Sequence, residues 1–139
     1  MYICTHFKIE ELVPPEIITK YGSSQAWSLL TDPIKQTADM IRNYFNDSMF
    51  INRPPQQTQR GLRTPASADY SPTSQHALGN AIDFDLFHFT PALIRETILA
   101  HPNDPAFEMI GGLEDFVGMS WVHVDCRPRL NNQILVFSK

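Results

Sequence analysis

Ala81-Ile82-Asp83-Phe84-Asp85-Leu86-Phe87 carries Ile82, Phe84 and Leu86 on one parity and Asp83 and Asp85 on the other. Successive side chains of a strand point to opposite faces, so this stretch predicts a strand with an apolar face and a carboxylate face. A later run, Trp121-Val122-His123-Val124-Asp125-Cys126-Arg127, alternates in the same way. Val122, Val124 and Cys126 are expected to face the core, and Trp121, His123, Asp125 and Arg127 the opposite side. If the two strands neighbour each other in one sheet, Asp83 and His123 converge.

Just before the first strand stands Ser74-Gln75-His76-Ala77-Leu78-Gly79-Asn80. His76 would reach the same point from this loop, with Gly79 allowing a tight backbone path between the two. Two histidines and a carboxylate are the ligand set of a catalytic zinc site that keeps a position open for water, which points to a metal-dependent hydrolase. Taken singly, a strand histidine is ordinarily a hydrogen-bonded side chain, and an aspartate among apolar residues a cap or an ion-pair partner. The seven-residue spacing from His76 to Asp83, the intervening Gly79 and the later His123 together set this pattern apart.

Composition bounds the rest. With 139 residues, 42% hydrophobic and 19% charged, the chain can bury one core, so a single domain over 1–139 is expected, and a monomer. A formal charge of −4 without clustered Lys and Arg argues against a nucleic-acid partner. The two cysteines, Cys4 and Cys126, lack metal-type spacing, so buried thiols are expected rather than a disulfide frame. The amino terminus shows no basic region followed by an apolar stretch, and no run approaches about 18 apolar residues. No membrane association is expected. The reading is of synthesis in the cytoplasm without a signal peptide.

The coarse layout is α+β without internal repeats. A short helical stretch near 9–13 precedes a turn opened by Pro14-Pro15 and ended by Gly22. A longer helix is expected with Asp32 as N-cap and Pro33 first, its stripe of Ile34, Ala38, Ile41 and Phe45 facing the core. Residues 49–52 read as a short strand. The long Pro-, Gln-, Ser- and Thr-rich loop 53–73 leads into the histidine motif, where function often resides. Thr90-Pro91 starts a helix through Ala100, and strands are expected at 106–110, 119–126 and 133–137. His88 is read as a surface or packing residue, His101 as a helix C-terminal residue and His6 as structural.

Ser74, His76, Gly79, Ala81 and Asp83 meet every specified position of Ser-x-His-x-x-Gly-x-Ala-x-Asp. This motif resembles that of the zinc peptidases that cut D-alanyl-D-alanine or L-alanyl-D-glutamate bonds in bacterial cell-wall peptides. Trp121-Val122-His123 looks like the family's later strand histidine, and Gly61-Leu62-Arg63-Thr64-Pro65 resembles its Gly-Tyr-Arg-Ser-Pro turn. Thr5-His6-Phe7 with Glu11-Leu12 resembles the start of phage-type and gut-bacterial members. The resemblance implies a Hedgehog/DD-peptidase-like fold, a central antiparallel sheet with helices packed on one side. It further implies Zn2+ held by His76, Asp83 and His123, a peptidoglycan peptide as substrate, and D,D-carboxypeptidase or endopeptidase action. Such a protein acts on the wall after export or lysis and is of a kind that phages and prophages also encode.

The general base stays open. Several subfamilies place it three residues before the last histidine, where this chain has Ser120. Glu114, Asp115 and Asp125 are the candidates, Asp125 because it shares the strand face of His123. Asp125 is read equally as a partner that orients a ligand or Arg127. Arg63 either clamps a substrate carboxylate or braces its Gly-Pro turn, and Ser74 and Trp121 are expected to shape the pocket. Two further readings remain: a wall-peptide-binding module without catalysis, favoured by Ser120, and a structural component of a phage particle.

Overall fold

The alternating stretch around Asp83 is a central strand. In the computed structural model, which describes residues 1–138, β2 (Ala81–Leu86) pairs antiparallel with β4 (Val122–Asp125). β1 (Met49–Phe50) lies on its other side. Beyond β4 come β3 (Gly112–Glu114) and β5 (Leu135–Phe137), giving the order β1-β2-β4-β3-β5. The helices are α1 (Pro15–Tyr21), α2 (Ser23–Trp27), α3 (Asp32–Phe45) and α4 (Pro91–Ala100), after a 3-10 turn at Ile9–Glu11.

The architecture is α+β, but the sheet is mixed, not antiparallel as expected: β5 runs parallel to β3. β4 ends opposite Gly112, the start of β3, and the reversing loop 126–134 brings Leu135 back to that same end. β5 therefore opposes β4 in direction, and with β3 inserted between them it is parallel to β3.

Ile82, Phe84, Val122 and Val124 are fully buried and form one apolar cluster with Ile34, Ala38 and Ile41 of α3 and Ile94 and Ile98 of α4. Both helices thus cover the sheet face from which the even-numbered side chains of β2 and β4 project. The opposite face is left for the histidines and carboxylates. Among the described residues no helix is long and apolar enough to cross a membrane. Cys4 and Cys126 are free thiols, and burial pushes them up to about 12 and about 11.

Three local expectations are corrected. Residues 106–110 form helical turns, because the Asp104 carbonyl accepts from the Phe107 and Glu108 amides and its carboxylate from Ala106. Phe107 and Ile110 are fully buried, so their apolar character reflects core position rather than strand pairing. The N-cap of α3 is Thr31, whose hydroxyl accepts from the Ile34 amide; Asp32 instead accepts from the Tyr2 amide and pairs with Lys35. The strand expected over 119–126 is confined to β4. α2 went unforeseen, being only five residues long.

α3 also anchors the amino-terminal segment. Its buried Asp39 accepts from the Tyr2 hydroxyl at 2.6 Å, the Thr5 amide at 2.7 Å and the His6 amide at 3.0 Å. The Asp39 hydrogen bond, with burial and the carboxylate's charge behind it, pushes the Tyr2 phenol up to about 12. Because the folded value is raised, this contribution is complete below the ordinary phenol value of about 10 and is lost as pH rises toward 12. Asp39→Ala strands three donors. It is expected to cost about 2 to 3 kcal/mol in urea unfolding, with Asp39→Asn costing less, and to expose residues 1–8 to early proteolysis.

Candidate metal centre

β2 and β4 place Asp83 directly opposite His123 in an antiparallel pair, so their side chains rise together from the face that the helices leave uncovered. His76 arrives from the turn that precedes β2. The Ser74 hydroxyl accepts from the Ala77 amide and the His76 carbonyl from the Gly79 amide, curling the chain back. Gly79 has φ +68°, and a Cβ there would overlap the Leu29 carbonyl oxygen. The Gly79 carbonyl accepts from the Thr31 amide, and the Thr31 hydroxyl donates to Asn80 Oδ1 at 2.6 Å. The start of α3 and the histidine turn are therefore fastened to each other.

His76 Nδ1 lies 2.8 Å from the Gly61 carbonyl, which only accepts. Nδ1 thus carries the proton, and Nε2 is left to face Asp83 Oδ1 at 3.0 Å and His123 Nδ1 at 3.2 Å. His123 Nδ1 lies 2.9 Å from the same Asp83 oxygen, while its Nε2 faces Asp125 Oδ2 at 2.9 Å. All three side chains are buried, and their ligand atoms lie within 4.8 Å of one another, so the group could hold a metal ion. Tetrahedral bonds of about 2.0 to 2.1 Å set ligand atoms about 3.3 to 3.4 Å apart, and the distances observed need widen only by tenths of an ångström. Two imidazole nitrogens and one carboxylate oxygen, turned toward a common point, fit a borderline-soft divalent cation.

The electrostatics are those of a tight charge cluster. Burial alone would raise the Asp83 carboxyl, but the His76 and His123 rings overcome it and hold Asp83 well below the ordinary carboxylate range. For His123, burial would depress the ring, but hydrogen bonds to Asp125 and Asp83 push it up to about 9. Burial also opposes Asp125, which Arg127 and His123 nonetheless hold down at about 2.

The cluster floors an open cavity of about 520 Å³, whose walls include Arg63, Ser74, Glu114, Trp121, Arg127 and Phe137. Glu114 sits opposite His123 in the β3–β4 register and faces this space. Asp115 turns toward Arg95 at 3.4 Å and is not among the lining residues. Asp125, expected beside a metal-bound water, is found behind His123 instead: it is wholly buried, bonded to the ring nitrogen remote from the cluster, and absent from the cavity wall. Its position follows from the strand, since residue i+2 shares the face of His123 but stands one full repeat along it, where Arg127 closes over it.

Arg63 lies on the cavity wall, its Nη2 3.4 Å from Asp83 Oδ2 and its Nε donating to the Gln59 carbonyl. Its backbone amide donates to the His76 carbonyl, so the Gly-Leu-Arg turn also supports the histidine turn. Trp121 stacks edge-on with Phe116 and presents its other side to the cavity. His88 pairs with Asp47, His6 with Asn43, and His101 caps α4, all outside the cluster.

Phe137 and Asp69 were not anticipated in this wall. Phe137 meets the His123 ring edge-on at 5.7 Å because β5 joins the sheet beside β3, and no local pattern announces that pairing. Asp69 belongs to the loop 53–73, where sequence marked a functional segment without marking a residue.

Gly79→Ala is expected to destabilise the fold by more than the about 1 to 2 kcal/mol of a left-handed residue, because the added methyl also meets Leu29. Thermal melting and zinc titration of this variant should show both lower stability and weaker metal binding. Comparison with protein-family models, with characterised proteins and with solved structures finds no match to this chain.

Proposed function

We propose that this protein is a zinc-dependent peptidase that hydrolyses short bacterial cell-wall peptides, with a Hedgehog/DD-peptidase-like fold. The observation that carries the reading is the convergence of His76 Nε2, Asp83 Oδ1 and His123 Nδ1 at the floor of a cavity that also presents two further carboxylates, Glu114 and Asp69. The motif resemblance around Ser74 to Asp83 supplies the substrate class, since ligand chemistry by itself does not name a substrate.

His76, Asp83 and His123 would hold a zinc ion, which would supply a Lewis acid for the scissile carbonyl and lower the pKa of water to about 7. Glu114 is the residue assigned to take a proton from the attacking water and deliver it to the leaving amine, because it is the non-ligand carboxylate on the cavity wall that stands opposite His123 in register. Arg63 presents its guanidinium to a substrate carboxylate from the opposite chain segment. Trp121 and Phe137 form apolar walls that exclude water from the peptide. Ser120, at the position where several subfamilies carry their acid, is exposed, and Glu114 takes over that role.

Incubating the protein with zinc and peptidoglycan fragments should release new amino groups, with the cleaved bond identified by mass spectrometry. Glu114→Gln is expected to lower kcat by about 10² to 10⁴ while zinc content is retained. No release by the parent protein, with wall peptides still bound, would favour a binding module; neither release nor binding would leave a structural role. Arg63→Ala should raise KM for peptides with a free terminal carboxylate, an effect of about 1.5 to 3 kcal/mol, and change little for amidated ones. Equal loss on both substrates would assign Arg63 to bracing its turn.

A further inference from the structure

The His123 ring has two nitrogens, and only one of them faces His76 and Asp83. What decides the orientation lies on the side of the ring away from the cluster. We infer that Asp125, locked by Arg127 into space left free by Gly112, is a positioning residue that holds His123 with Nδ1 presented to the metal. The inference rests on the metal-centre reading above and adds to it a device in the β3–β4 ladder that the mechanism has not used.

The Asp125 carboxylate is wholly buried, and each oxygen has defined partners. Oδ2 faces His123 Nε2 at 2.9 Å and accepts from Arg127 Nη2 at 2.7 Å. Oδ1 accepts from Arg127 Nε at 2.6 Å and from the Arg127 amide at 3.3 Å. An ionised carboxylate only accepts, so Asp125 keeps a proton on Nε2, and a cation taking the place of the proton shared between Nδ1 and Asp83 would meet the lone pair of Nδ1. That is the atom 2.9 Å from Asp83 Oδ1 and 3.2 Å from His76 Nε2. A ring turned over would set carbon where each nitrogen stands, leaving the buried carboxylate without its donor and the cluster without a ligand atom.

The clamp is itself constrained. The two-pronged Arg127 pairing fixes the plane of the carboxylate as well as its place. The guanidinium lies 4.6 Å over the Phe137 ring, and Phe137 in turn meets the edge of His123, so ring, clamp and β5 enclose one another. Gly112 stands directly opposite Asp125 in the ladder. A Cβ at Gly112 would overlap Asp125 Oδ1 and come within 2.6 Å of Arg127 Nε, so the clamp exists only where β3 carries no side chain.

The test measures zinc affinity by chelator competition and the visible spectrum of the Co2+-loaded protein, with melting of the metal-free form as the control for folding. Asp125→Asn is expected to fold, to weaken zinc binding about 10- to 100-fold and to shift the Co2+ bands, because the ligand is no longer held in one orientation. Gly112→Ala should move affinity and spectrum the same way without touching a ligand. Glu96→Gln, on the exposed side of α4, should leave both at parent values. A merely structural Asp125 would change melting alone, so parent-like affinity and spectrum in a folded Asp125→Asn would overturn the inference. If that variant and Gly112→Ala do not fold, Arg127→Lys decides. It keeps the charge but loses the fork; weaker binding supports the clamp and unchanged binding overturns it. Failure of the metal centre itself is read separately, from the parent protein, where no zinc binding would sink both proposals together.

Discussion

The direct opposition of Asp83 and His123 across the β2–β4 ladder is the constraint on which the site depends. Side chains opposite each other in an antiparallel pair rise from the same face. Here that face is the one not covered by α3 and α4, so the same register that buries Ile82, Phe84, Val122 and Val124 presents the acid and the imidazole to the cavity. A slip of one residue would exchange the two faces, placing carboxylates in the core and isoleucine in the cavity. Core and candidate centre are therefore specified together.

The third arm, His76, is held by main-chain contacts from distant segments. The Gly61 carbonyl accepts from its ring Nδ1–H, the Leu62 amide donates to the Leu12 carbonyl, and the Asp83 amide donates to the Arg60 carbonyl. The long loop 53–73 is consequently fixed near its middle by the amino-terminal turn on one side and β2 on the other. Such anchoring sets a ligand to within the few tenths of an ångström that metal geometry requires, although the ligand sits outside regular secondary structure.

Concentrating Asp83, His123, Asp125 and Arg127 in a largely buried patch is costly in the absence of compensating partners. Each of these groups finds an opposite charge or a hydrogen-bond partner, and among the described residues no buried side-chain polar atom lacks one. A cation at the convergence point would take the proton's place on His123 Nδ1 and offset the Asp83 charge. Binding of such a cation would be coupled to folding stability for that reason.

Much of this was legible in the chain itself. Period-two alternation announced β2 and β4 and assigned their faces, Pro91 after Thr90 announced α4, and the grouping of His76, Asp83 and His123 was readable because types and spacings coincide. These are local properties, carried by φ/ψ preference and parity. What a strand pairs with is not local. The parallel placement of β5, which brings Phe137 against His123, and the turning of 106–110 away from strand followed from which long-range contacts the assembled core offered. The different placement of Glu114 and Asp125 was decided in the same way. Both are acidic residues close to the last histidine in sequence or on its strand face, and only the β3–β4 register, with Gly112 leaving room behind the ring, sends one to the cavity wall and the other beneath it. Sequence determined β2, β4, α3, α4 and the candidate ligand set of His76, Asp83 and His123; tertiary packing decided which side of His123 each carboxylate occupies, because that depends on the space a neighbouring strand leaves.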